Sequence, residues 1–151
     1  TMVTGGMPKA EDVGYTLDFF NKTGKINRFH WLHNLNQEDM GQIYRGVANN
    51  GGFLLSTSKA ESFCLVIHEA MRCGVPVVSS KIGPIPEVID DGKNGLIYEL
   101  GDKNSALSKC NLLLNNDTRS NIITMGLKYL EKFDQMYDED FYLRSIQSLL
   151  K

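Results

Sequence analysis

Two carboxylates, Glu61 and Glu69, stand eight residues apart in the stretch from Gly52 to Glu87, GFLLSTSKAESFCLVIHEAMRCGVPVVSSKIGPIPE. An ionised carboxylate only accepts hydrogen bonds and takes two at once from neighbouring hydroxyls, so such a pair suits the diols of sugars. The residues around the pair supply a complementary charge. Phe53, Leu54 and Leu55 read as a short strand buried on both faces, broken by Ser56-Thr57-Ser58. Phe63, Val66, Ile67, Ala70 and Met71 then recur at helical spacing until Gly74 and Pro76 end the helix. A second buried strand is expected from Val75 to Ser80. Strand, polar turn and helix in this order aim free backbone N–H groups and the positive end of the helix dipole at an anion beyond the strand's carboxyl end. A phosphate fits that position. Glu61 precedes the helix and Glu69 lies about 9 Å along it, at about 1.5 Å of rise per residue. That spacing suits a diphosphate flanked by two sugars, with Glu69 on a ribose diol and Glu61 facing the other sugar.

The ordered motifs Ser58-Lys-Ala-Glu61-Ser-Phe63, Glu69-Ala70-Met71-Arg-Cys-Gly74-Val-Pro76-Val-Val and Gly83-Pro-Ile-Pro-Glu87-Val resemble the C-terminal donor domain of family-four retaining glycosyltransferases. The resemblance extends more weakly from Thr1 to about Leu114. The family usually reads Glu-Gly-Phe-Gly where this chain has Glu61-Ser62-Phe63-Cys64, and Gly-Gly where it has Gly83-Pro84.

The resemblance implies a hexosyltransferase of the two-domain GT-B type that uses a nucleotide-sugar donor, with no metal and no other cofactor. It implies that Glu61 orients the transferred sugar, that Glu69 holds the ribose, and that N–H groups around Phe63, Cys64 and Leu65 receive the diphosphate. Gly83 allows close backbone approach near the donor, and Leu32 and His33 lie against the nucleotide base. Transfer with retention on a single face leaves no separate catalytic base to assign. The resemblance also implies parts outside this chain: an N-terminal acceptor domain, and a strand-and-helix unit carrying an Arg and a Lys that clamp the diphosphate. The missing strand belongs between the strand at Thr1 and the strand containing Phe53. Those two strands are therefore expected either to pair directly or to be satisfied by another copy or segment, and the isolated chain to self-associate and show no transferase activity. Two rivals stand beside this reading. One is a nucleotide-sugar epimerase of the same architecture, and the other is a donor-domain relic that scaffolds a partner.

Composition agrees with one compact domain. The 151 residues are 42% hydrophobic and 23% charged, enough to bury a core. A net charge of −2 without a basic cluster argues against nucleic acid as a partner. No run of about 18 apolar residues is present to span a membrane. Cys64, Cys73 and Cys110 are odd in number and lack metal-type spacing, which favours reduced thiols and a cytoplasmic setting, with room for a full-length protein seated at the inner face of a membrane.

In chain order, Thr1 to Thr4 reads as a strand ending in Gly5-Gly6, where Gly6 either approaches the donor or forms an ordinary turn. A helix is expected from Glu11 to Asn21 with Val13, Leu17 and Phe20 inward, then a strand from Asn27 to Leu32 and a helix from Asn36 to Val47 with Met40, Ile43, Tyr44 and Val47 on one stripe. His30 and His33 have no partners at metal-ligand spacing. Cys64, at a helix N-terminus, is either a thiol of lowered pKa or a small packing residue. Glu87 is either a donor contact or a helix-start charge. Pro84 to Ile89 should form a helical turn and Leu96 to Tyr98 a strand, followed by amphipathic helices over Ser105 to Leu114, Arg119 to Phe133 and about Asp140 to Leu150. Asp138-Glu139-Asp140 suits the start of that last helix better than a metal site. The expected fold is α/β: a Rossmann-like parallel sheet of about five strands with helices on both faces, a partial GT-B C-terminal domain over 1–133 followed by a C-terminal helix over 134–151.

Overall fold

A computed structural model of the chain describes residues 2–4 and 9–136. Gly6, Asp138-Glu139-Asp140 and the helix expected from Asp140 lie outside the described residues. The chain divides into two compact units, Thr1–Met40 and Gly41–Lys151, a division that falls inside a helix, whereas the boundary drawn at 133 falls within the last helix described.

In the first unit, β1 (Met2–Thr4) pairs in parallel with β2 (Trp31–His33), and α1 (Ala10–Lys22) connects them. The strand expected from Asn27 begins later, because Ile26–Arg28 winds into a single 3-10 turn first. Phe20 stacks on Phe29 with ring centroids 4.1 Å apart, and Phe29 meets Trp31 edge-on at 6.0 Å. This aromatic row ties helix to strand in place of a sealed apolar stripe. Leu17, expected inward, is exposed, as are Tyr15 and Phe19.

α2 (Gln37–Asn49) opens on the Asn36 side chain, whose Oδ1 accepts from the N–H of Asp39. The expected stripe holds, with Tyr44 buried and Met40, Ile43 and Val47 half-buried. The helix ends where Gly51 takes φ +67° and Gly52 returns its N–H to Val47. Arg119 then donates to the carbonyls of both glycines, a cation placed at the negative end of α2.

The second unit holds a three-stranded parallel sheet in the order β3 (Leu54–Ser56), β4 (Val77–Ser80), β5 (Leu96–Tyr98), with Leu55 opposite Val78 and Ser79 opposite Ile97. Among the described residues five strands are present, but they form ladders of two and three that share no strand, in place of one five-stranded sheet. The crossover between β3 and β4 is α3 (Leu65–Arg72), and α4 (Ile85–Val88) follows β4. α5 (Lys103–Leu112), capped by Asp102, packs on β4 and β5, and α6 (Asn116–Met136) packs on α3. Val78, Leu96, Tyr98, Leu113 and Ile122 form the core cluster on the sheet. Each such buried side chain stabilises by about 1.5–3 kcal/mol.

One feature of the α3–α6 packing depends on pH. His68 of α3 packs against the rings of Tyr129 and Phe133 of α6, the latter with centroids 5.0 Å away, and its Nε2 is buried with no hydrogen-bond partner among the described residues. Burial, then the nearby Arg72, hold its pKa below the ordinary 6.5, against a smaller opposing pull from Asp134. Neutral His68 therefore contributes stability that is complete above pH 6.5 and is lost as pH falls through its lowered pKa. Thermal melting followed between pH 7 and pH 5 should show a falling midpoint, and His68→Phe should flatten that slope. An equal slope in both proteins would contradict the assignment.

Candidate functional site

The site is built at the carboxyl end of β3. Two hydroxyls from β4 and β5 hold the chain as it leaves this strand: Tyr98 donates to the carbonyl of Ser56 at 3.1 Å and Ser80 to the carbonyl of Ser58 at 2.8 Å. Sequence reasoning missed both. Their signal lies in β4 and β5, where Ser79, Ser80 and Tyr98 put polar groups in strands that are otherwise apolar and buried.

From there the chain runs through Glu61, Ser62 and Phe63 to Cys64, the residue before α3. Cys64 has φ 54° and ψ 26°, a left-handed conformation that side chains other than glycine avoid at a cost of about 1–2 kcal/mol. That conformation explains why a glycine is usual at this place in the family the sequence resembles. Its carbonyl accepts from the N–H groups of Ile67 and His68, while its side chain caps nothing. The first N–H groups of α3 are therefore left without a cap from the Cys64 side chain, and by helix geometry they point out of the helix start.

Helix α3 begins two residues later than the apolar spacing suggested. Phe63, Leu65 and Val66 are exposed, and Ile67, Ala70 and Met71 form the buried face. The inward stripe thus starts at Ile67, because the left-handed turn at Cys64 breaks the helical period between Phe63 and the helix proper. The 9 Å figure fails for the same reason: Glu69 is only about 6 Å along α3 from Leu65, at about 1.5 Å per residue, and Glu61 belongs to the loop.

Glu61 and Gly83 approach one another, and the charges of Glu61 and Glu87 act on Cys64. The Glu61 carbonyl oxygen approaches Gly83 so closely that a Cβ there would sit 3.0 Å from it, and Gly83 has φ +43°. The Cys64 thiol is buried to 1% exposure, and its pKa is raised by that burial first and then by the carboxylates of Glu61 and Glu87. The expectation of a lowered pKa at a helix N-terminus is thus corrected: burial and two acidic neighbours raise it, and the buried Cys64 is a packing residue. Glu87, exposed on the short α4, is near enough for its charge to act on the Cys64 thiol. Glu69 lies half-buried on α3, beside Tyr44 of α2, whose phenol is pushed up to about 12 by burial and then by Glu69 and Cys73. Leu32 and His33 lie on β2, half-buried and exposed, in the first unit. Among the described residues no group of three or more His, Cys, Asp or Glu side chains is arranged to hold a metal ion.

Residues 14–128 of the 151 match the family described as "Glycosyl transferases group 1". The chain belongs to the group 1 glycosyl transferases. Among its relatives, the N-acetyl-alpha-D-glucosaminyl L-malate synthase of Bacillus anthracis is 42% identical over 64 residues, 42% of this chain and 17% of that protein. A sulfoquinovosyl transferase of Arabidopsis thaliana is 32% identical over 104 residues, 66% of this chain and 20% of that protein. The chain thus spans about a fifth of the length of the curated relatives it matches. In structure it is similar to Anabaena HepE, solved in complex with UDP-glucose, with a TM-score of 0.75 at 24% identity, over 98% of this chain and 39% of that one. It is also similar to the C-terminal domain of a group 1 glycosyl transferase from Francisella tularensis, with a TM-score of 0.67 at 21% identity, over 86% of this chain and 67% of that one. These similarities establish a GT-B glycosyltransferase fold.

The contact between Gly83 and Glu61 is testable as a structural element of the group 1 fold. Gly83→Ala forces both a left-handed alanine and a methyl against a backbone carbonyl, so urea denaturation should show a loss of about 1–3 kcal/mol. An unchanged midpoint would show that the loop yields freely there.

Proposed function

We propose that the protein containing this chain is a retaining hexosyltransferase, and that this chain is its donor-binding half, receiving a nucleotide-sugar. The observation that carries the reading is the convergence of Glu61, Cys64, Gly83 and Glu87 at the uncapped start of α3, with Glu69 farther along the same helix. Family membership and the names of the relatives support it, and HepE, of similar fold, was solved with UDP-glucose.

In this reading the N–H groups around Phe63, Cys64 and Leu65 receive the diphosphate and stabilise the charge that develops on it as the sugar departs. Backbone donors of this kind do that work without a metal ion. The Glu61 carboxylate accepts hydroxyls of the transferred sugar, and its main chain is held in place against Gly83. Glu69 accepts the ribose hydroxyls. Leu32, His33 and Gly6 are assigned to the nucleotide, the first two at the base. The acceptor is bound by a separate N-terminal domain. A cytoplasmic setting fits the three free thiols, and no helix among the described residues is long and apolar enough to cross a membrane.

Calorimetric titration of UDP-, GDP- and ADP-sugars into the full-length protein tests the reading. Binding of one class is expected, and binding of none would favour a scaffold without donor. Glu69→Ala should then weaken the nucleoside diphosphate by about 1.5–3 kcal/mol, the range for hydrogen bonds to a charged group, without unfolding the protein. Glu61→Gln should lower turnover far more than affinity for the free nucleoside diphosphate, since its contact belongs to the transferred group. Equal losses in both quantities would count against that division of labour.

A further inference from the structure

Tyr44 is almost fully buried, at 4% exposure, on the face of α2 that meets α3. Its hydroxyl donates, at a long 3.4 Å, to the carbonyl of Val66. Val66 is the second residue of α3 and stands three before Glu69, so the two lie on one face of the helix, one turn apart. The carbonyl of a helical residue points toward the helix C-terminus, which brings the phenol oxygen to the turn that carries Glu69. The electrostatics agree, because after burial itself Glu69 acts most strongly on the phenol, and a pKa of about 12 keeps the hydroxyl a donor throughout the neutral range. A leucine or phenylalanine would fill the same apolar stripe, so packing accounts for the ring and leaves the hydroxyl without a purpose.

We infer that Tyr44 is a positioning residue: through its hydroxyl on the Val66 carbonyl it sets the first turn of α3 and, with it, the direction in which the Glu69 carboxylate is presented to a ribose. The inference rests on the proposed role of Glu69. It assigns to α2 a part in ligand recognition without any contact between Tyr44 and ligand. A carboxylate that must accept two hydroxyls at once is sensitive to small rotations of the helix that carries it.

The test uses the full-length protein, with UDP, GDP and ADP titrated to find the one that binds, and then the 2′,3′-dideoxy form of the same nucleotide. Tyr44→Phe keeps the ring and removes the hydroxyl. It should weaken the ribonucleotide about 3- to 10-fold, the loss of one hydrogen bond, while leaving the dideoxynucleotide unchanged and moving the melting temperature little. In the Glu69→Ala background the same substitution should have no further effect on the ribonucleotide, since both changes act through one contact. Independent, multiplying losses would overturn the inference, and so would equal weakening of both nucleotides or a Tyr44→Phe protein that fails to fold. If Glu69→Ala itself leaves affinity unchanged, the ribose role of Glu69 falls and the inference falls with it. A loss on Glu69→Ala alongside an independent loss on Tyr44→Phe defeats only the part given to Tyr44.

Discussion

The left-handed turn at Cys64 is the constraint on which the site depends. A chain leaving β3 has to reverse sharply to bring the N-terminus of α3 against the strand's carboxyl end, and one residue with positive φ makes that reversal. The turn is tolerated in a residue with a Cβ because its surroundings hold it. The thiol is buried, the Cys64 carbonyl takes two helical N–H groups, and the loop before it is fixed by hydroxyls from Ser80 and Tyr98. The strain of about 1–2 kcal/mol is offset by burial of the side chain, a term of similar size. A glycine would remove the strain and the burial together.

The same turn decides which side chains face the site. By breaking the helical period it exposes Phe63 and Leu65, and it leaves Ile67, Ala70 and Met71 to carry the packing of α3. Helix α3 is thereby held on several sides. Arg72 makes two hydrogen bonds to Asp134 of α6, His68 packs among the α6 aromatics, and Tyr44 of α2 reaches Val66. A short helix of eight residues has little stability of its own, so these contacts set its orientation, and with it the direction of its dipole.

Much of this was legible from residue order. The strand at Leu96 to Tyr98 and the turn at Pro84 to Ile89 follow from apolar runs and from Gly and Pro punctuation. The division of the strands into ladders of two and three was not legible, because strand pairing is a long-range choice that five short apolar runs leave open. The start of α3 was misplaced by two residues, since nothing in the letters Phe63-Cys64 announces a positive φ at a cysteine. The pinning of the loop by Ser80 and Tyr98 was hidden as well, because both sit inside strands where only burial gives their hydroxyls meaning.

The central claim is that the outward N–H groups at the start of α3 receive the donor's diphosphate. Amide NMR of the isotopically labelled full-length protein, titrated with UDP-, GDP- and ADP-glucose in turn, reads those groups one by one. The account predicts that a saturating donor moves the amide resonances of Phe63, Cys64, Leu65 and Val66 more than those of α5 and α6. Saturable binding that leaves these four amides unmoved would contradict it.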